Sequence, residues 1–147
     1  MKRYHFRLEK LLSLKKYNEK EWEIRLAQEA GECIRIENRI EHNLFEKART
    51  MQERRFNGPV QLNELLTSEL YIRRLGQETV QLEEELVEKE ATRESVRKEY
   101  LEASKERKVL DKLKERQEGE FYREQLREEV KGMDDISNAM YIRKQES

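Results

Sequence analysis

Proline and cysteine occur once each in this 147-residue chain, glycine five times, and long apolar runs not at all. Each shortage excludes something. A lone cysteine, Cys33, cannot close an internal disulfide. No apolar stretch nears the roughly 18 residues that a membrane-spanning helix takes, so no span is expected. The opening Met1-Lys2-Arg3-Tyr4-His5-Phe6 is basic but leads into no apolar h-region, so it does not read as a secretory signal, and a cytoplasmic protein is expected. Lys and Arg number 31 against 32 Asp and Glu, with the two signs interleaved. The segregated basic face of a nucleic-acid binder is missing. With 35% hydrophobic residues, the chain can supply one apolar stripe per helix and little more, so a globular core is not expected.

Chemistry-bearing motifs are equally scarce. There is no Gly-rich phosphate loop, no cysteine pair and no His-Glu-x-x-His. His5 and His42 lie far apart without a matched carboxylate cluster and read as surface histidines. Runs such as Glu83-Glu84-Glu85 read as a solvated face, because two paired helices offer no concave pocket to shift carboxylate pKa values. No catalytic residue, metal site or cofactor is expected.

What the chain does have is charge, at 43% of residues, in the Glu-, Lys-, Arg- and Leu-rich mixture of long helices and coiled coils. From Leu65 to Phe121, alternating strides of three and four touch Leu65, Ser68, Ile72, Leu75, Thr79, Leu82, Leu86, Lys89, Arg93, Val96, Tyr100, Ala103, Arg107, Leu110, Lys114, Gln117 and Phe121. Ten of these seventeen are apolar, and the stride averages about 3.5 residues, the repeat that keeps one stripe of a helix against a partner helix. An earlier seam passes through Leu8, Leu12, Lys15, Glu19, Trp22, Leu26, Glu29, Cys33, Ile36 and Ile40. It then drifts through Leu44 and Ala48 to Met51 in steps of four.

Between the two seams stands Asn57-Gly58-Pro59, where Gly accepts the left-handed conformation that ends helices and Pro cannot continue the ladder. A short connection makes the helices antiparallel neighbours. The expected fold class is therefore all-α, a long two-helix antiparallel coiled-coil hairpin with an overhanging second helix. It is read as a single elongated domain with a helix over about 6–56, a loop over about 57–63, a helix over about 64–131 and a short helix over about 134–143. Residues 1 to 5 read as a frayed end. Asn63, Thr67 or Ser68 can cap the second helix, Gly132 breaks it, and Asp134 caps the last. A tight loop would set Ile40 by Leu75 and Cys33 by Leu82. A longer loop sets Ile36 by Leu82, Trp22 by Val96 and Leu8 by Leu110, and is favoured because it keeps Trp22 from facing Arg93. In either register the first arm runs out near Val109 to Lys112. Lys114 to Lys131 then has no internal partner, and Phe121, Tyr122 and Leu126 are left for something else to cover.

Four segments in this order resemble the flagellar export protein FliJ family of the type III secretion apparatus. They are Phe6-Arg7-Leu8-Glu9-Lys10-Leu11-Leu12, Tyr71-Ile72-Arg73-Arg74-Leu75, Leu110-Asp111-Lys112-Leu113-Lys114-Glu115-Arg116 and Met133-Asp134-Asp135-Ile136. The resemblance implies an antiparallel two-helix coiled coil similar to the central stalk of rotary ATPases. Such a protein inserts its joined-termini end into the hexameric ring of the export ATPase FliI, touches the export-gate protein FlhA, and recycles export chaperones. It would sit peripherally at the cytoplasmic face of the inner membrane. By position, Leu8, Leu11, Leu12, Leu110, Leu113 and Arg116 match the end that meets the ATPase ring. Tyr71 and Leu75 match the contact with the gate. A homodimeric spacer without an ATPase partner is the competing expectation, because Ile24, Ile34, Phe45 and Leu62 form a weak second stripe off the main seam.

Overall fold

Two helices account for most of the computed structural model, which describes every residue except Met1, Asn57 and Val60, and the side chain of Phe56. Helix α1 runs Glu9–Phe56 and helix α2 Leu62–Glu146. They pack against each other as an all-α hairpin. Gly58 adopts a φ of 72° in the connection, the left-handed conformation that glycine accepts without a Cβ clash; Asn57, expected to share the break, lies outside the described residues. The α2 start does not use the expected caps. The Leu65 amide donates to the Gln61 carbonyl at 3.1 Å, and the Thr67 hydroxyl donates back to the Asn63 carbonyl at 2.8 Å. Acidic Glu64 in the first turn of α2 and basic Arg143 and Lys144 in its last turn complement the helix dipole. Among the described residues no helix is long and apolar enough to cross a membrane.

The chain forms two compact units, one of residues 20–101 and one of residues 1–19 with 102–147. In the first, Cys33, Ile36, Ile72, Leu75, Leu82 and Val96 are buried. On α2 every seam position from Ser68 to Tyr100 is at least half-buried. The register follows the longer loop. Arg39 pairs with Glu78 at 3.0 Å, beyond the Gly76 that a tight loop would set opposite it, and Arg35 reaches Glu85 at 3.7 Å. Near the loop, Arg54 pairs with Glu69 at 2.7 Å and donates to the Ser68 hydroxyl at 3.0 Å.

One stretch of α1 differs from the expectation. Leu44 is 54% exposed, and Ala48 and Met51 are also exposed. The buried line instead keeps its three-and-four alternation through Asn43, Lys47, Thr50 and Arg54. Holding the 3.5 repeat keeps α1 in phase with α2, whereas steps of four would rotate its stripe away from the partner. Asn43 carries the cost. It is 1% exposed, and neither its amide nitrogen nor its oxygen finds a hydrogen-bond partner among the described residues.

In the second unit, Phe6 and Leu12 of the N-terminal segment and Ala103 and Ser104 of α2 are buried. Helix α1 begins at Glu9 rather than near residue 6, because the chain turns there: the Glu9 amide donates to the Phe6 carbonyl at 3.2 Å. Residues 2–6 are irregular but not frayed. The Tyr4 ring lies 5.5 Å from that of Phe121, and its hydroxyl donates to Gln117 Oε1 at 3.2 Å. Helix α2 does not break at Gly132 but continues to Glu146. A glycine in a helix interior costs about 1 kcal/mol against alanine, which an otherwise good helix former absorbs, so Asp134 caps nothing.

These assignments separate positions by thermal melting. Ile36→Ala should destabilise by about 2–5 kcal/mol, as for a large-to-small change in a tight core. Leu44→Ala should stay within about 0.5 kcal/mol, as at open surface positions. Asn43→Leu should raise the melting temperature, because it removes two unpaired polar atoms from the seam; a lower one would show that the amide is satisfied in solution.

Candidate interaction surfaces

The unit made of residues 1–19 and 102–147 holds the first group of sequence-expected contact residues. Two cross-pairs frame them: Glu9 with Lys114 at 2.9 Å, and Lys15 with Glu106 at 2.8 Å. Arg107 anchors the inner edge, bonded to Glu19 and, at 2.5 Å, to Asp111. Those hydrogen bonds raise the Arg107 pKa, so the guanidinium is a fixed positive charge there. The Lys114 pKa is likewise raised, first by its hydrogen bond to Glu9. The lysine is therefore fully charged below the ordinary lysine range, and its side of the pair is lost as pH climbs through the raised value.

Within that frame the six residues do not share one environment. Leu12 is fully buried, while Leu8, Leu110 and Leu113 are half-buried. Only Leu11 and Arg116 are open to solvent. A binding partner could touch Leu11 and Arg116 directly, but would meet Leu12 only by parting the helices. The expected end of pairing, near Val109 to Lys112, is too early. Glu9 holds Lys114, and Tyr4 reaches Gln117 and Phe121. An aromatic in an irregular segment carries no helical period, which is why spacing could not find this contact.

Beyond Phe121, α2 leaves an apolar stripe that the expected break at Gly132 had hidden. Tyr122, Leu126, Val130, Met133, Ile136 and Met140 are all exposed, and their three-and-four spacing puts them on one helix face. Scattered apolar residues on a surface are ordinary, but a continuous stripe of this length marks an interaction face.

The second expected group lies in the unit of residues 20–101. Its two members fall in different places. Leu75 is 6% exposed and belongs to the core, whereas Tyr71 is 40% exposed. The Tyr71 hydroxyl donates to Glu46 Oε2 at 3.2 Å, and Glu46 also holds Arg49 at 3.0 Å. Partial cover of the ring, and then the negative Glu46, push the phenol pKa above its ordinary value. The phenol is thus a neutral, braced aromatic next to the open groove lined by Asn63, Glu64, Thr67 and Ser68. Ile24, Ile34, Phe45 and Leu62, the weak second stripe, are all exposed. Among the described residues no cluster of His, Cys, Asp and Glu is disposed to hold a metal ion.

A family model described as flagellar FliJ protein matches residues 4–146. No curated protein matches the chain, and no solved structure matches it.

Burial orders these positions energetically. At low protein concentration, Leu12→Ala should cost about 2–5 kcal/mol in chemical denaturation. Leu126→Ser and Met133→Ser should each change stability by less than about 0.5 kcal/mol. A large loss at either exposed position would mean that α2 folds back on something within the same chain.

Proposed function

The chain belongs to the flagellar FliJ protein family, whose members are components of the flagellar export apparatus, and from that premise we propose that it serves as the stalk of the export ATPase. In this reading the unit carrying both termini docks in the hexameric FliI ring. The ring supplies the free energy and this chain supplies no chemistry of its own. A single asymmetric insert meets identical subunits in different relative positions, and so biases which of them binds or releases nucleotide. The export gate protein FlhA and the export chaperones are the further partners, met at the cytoplasmic face of the inner membrane.

One observation carries the reading: in the terminal unit α1 begins only at Glu9, while α2 continues to Glu146 with its apolar face uncovered. Paired helices give an insert stiffness, and an uncovered face gives it something to grip with. In this reading the roles within the two groups follow their burial. Leu11 and Arg116 are the direct ring contacts. Leu8, Leu110 and Leu113 flank them, and Leu12 holds the pair of helices beneath. At the gate contact Tyr71 is the touching residue, while Leu75 fixes the backbone that presents it.

ATP hydrolysis by the export ATPase should rise several-fold when the full chain is added. Leu11→Ser combined with Arg116→Ser should remove most of that rise while the circular dichroism spectrum stays unchanged. Tyr71→Ala should weaken capture of the gate protein's cytoplasmic domain and leave the stimulation intact. Unchanged hydrolysis with the native chain would overturn the stalk reading. Full stimulation by the double variant would overturn the assignment of the ring contacts.

A further inference from the structure

The uncovered face of α2 is matched to itself. Set two copies of it antiparallel, with the two-fold axis passing close to Gly132. Tyr122 of one copy then lies opposite Met140 of the other, Leu126 opposite Ile136, and Val130 opposite Met133. Apolar meets apolar in each of these three pairings. The charges beyond the stripe also agree. Arg143 and Lys144, in the last turn, fall beside Glu120 and Glu118 of the other copy, so each end of the pair sets two cations near two anions. A parallel arrangement would put Arg143 and Lys144 beside their own copies.

Area sets the strength. Six apolar side chains, each leaving about half or more of its surface bare, offer roughly 600–700 Å² per copy, slightly below the ~800 Å² per partner of a standard stable interface.

We propose that the C-terminal part of α2, from Tyr122 to Met140, is an antiparallel homodimerisation face. It associates in the micromolar range and is open to solvent in the free monomer. This goes beyond docking in an ATPase ring and uses the same uncovered face, so the dimer and the ring-docked chain exclude each other, and the test is made on the free chain with no ATPase present.

The test uses the full chain. Light scattering and sedimentation equilibrium from about 1 to several hundred micromolar should show a monomer–dimer equilibrium. Leu126→Glu combined with Met133→Glu should abolish it with unchanged helix content, because both side chains are exposed in the monomer. Orientation is read with spin labels in a Cys33→Ala background. A label at Met133→Cys sits near the axis and should give a short inter-copy distance, within about 20 Å, while one at Arg143→Cys should give a separation of roughly 35–45 Å. A chain that stays monomeric throughout overturns the proposal. So does a double-Glu variant that dimerises as well as the native chain, or a short distance at both labels, the mark of parallel pairing.

Discussion

Everything in this fold depends on two helices keeping the same 3.5-residue stripe in phase. Neither helix carries enough apolar surface to be buried on more than one side, and among the described residues only the short irregular segment of residues 2–6 adds to their contact. The contact must therefore repeat in alternating steps of three and four, or the stripe winds out of the interface within a few turns. That constraint explains why polar residues are accepted inside the seam. Lys15, Glu19, Lys89, Arg93, Arg107 and Lys114 occupy seam positions and are half-buried. Their stems cover the apolar line, and the charged ends of Lys15, Glu19, Arg107 and Lys114 reach partners at its edge. Lys15 with Glu106, Lys114 with Glu9, and Arg107 with Glu19 are such edge pairs.

The same constraint separates what could be read from the residues from what could not. On α2 the stripe was legible from Ser68 to Lys114, since strict alternation and a high apolar share pointed to the same positions. On α1 beyond Ile40 they pointed apart. Apolar identity favoured Leu44 and Met51, while phase favoured Asn43 and Thr50. Phase prevailed, because matching the partner helix gains along a whole stretch and a misplaced leucine loses at one site. The helix through Gly132 is a related case. A glycine penalty is local and small, so Gly132 does not act as a stop signal where the apolar spacing carries straight across it from Val130 to Met133 and Ile136.

The contact residues were only partly legible. A short motif gives order and spacing but says nothing of burial. Tyr71 and Leu75 lie one turn apart, yet one is braced at the surface by Glu46 and the other is sealed in the core. Leu11 and Leu12 are adjacent, and the first is open while the second is fully buried. The packing of Tyr4 on Phe121 was illegible altogether, because it joins an irregular segment to a helix far along the chain with no repeat to announce it. Functionally the distinction matters. Buried motif residues set the shape of a surface, and only the exposed ones can recognise a partner.

Helix α2 has two regimes: the N-terminal segment packs on it as far as Phe121 and lies beside it to Gln125, while its apolar face from Tyr122 onward is bare. Residue-resolved hydrogen exchange on dilute full-length protein addresses this directly, because amides in packed helix open only with the cooperative unit while those in an unsupported helix fray. The account expects strong protection across Ala103 to Lys114 and a steep fall beyond Leu126. Protection that stays uniformly high through to the last turn at Arg143 would contradict it.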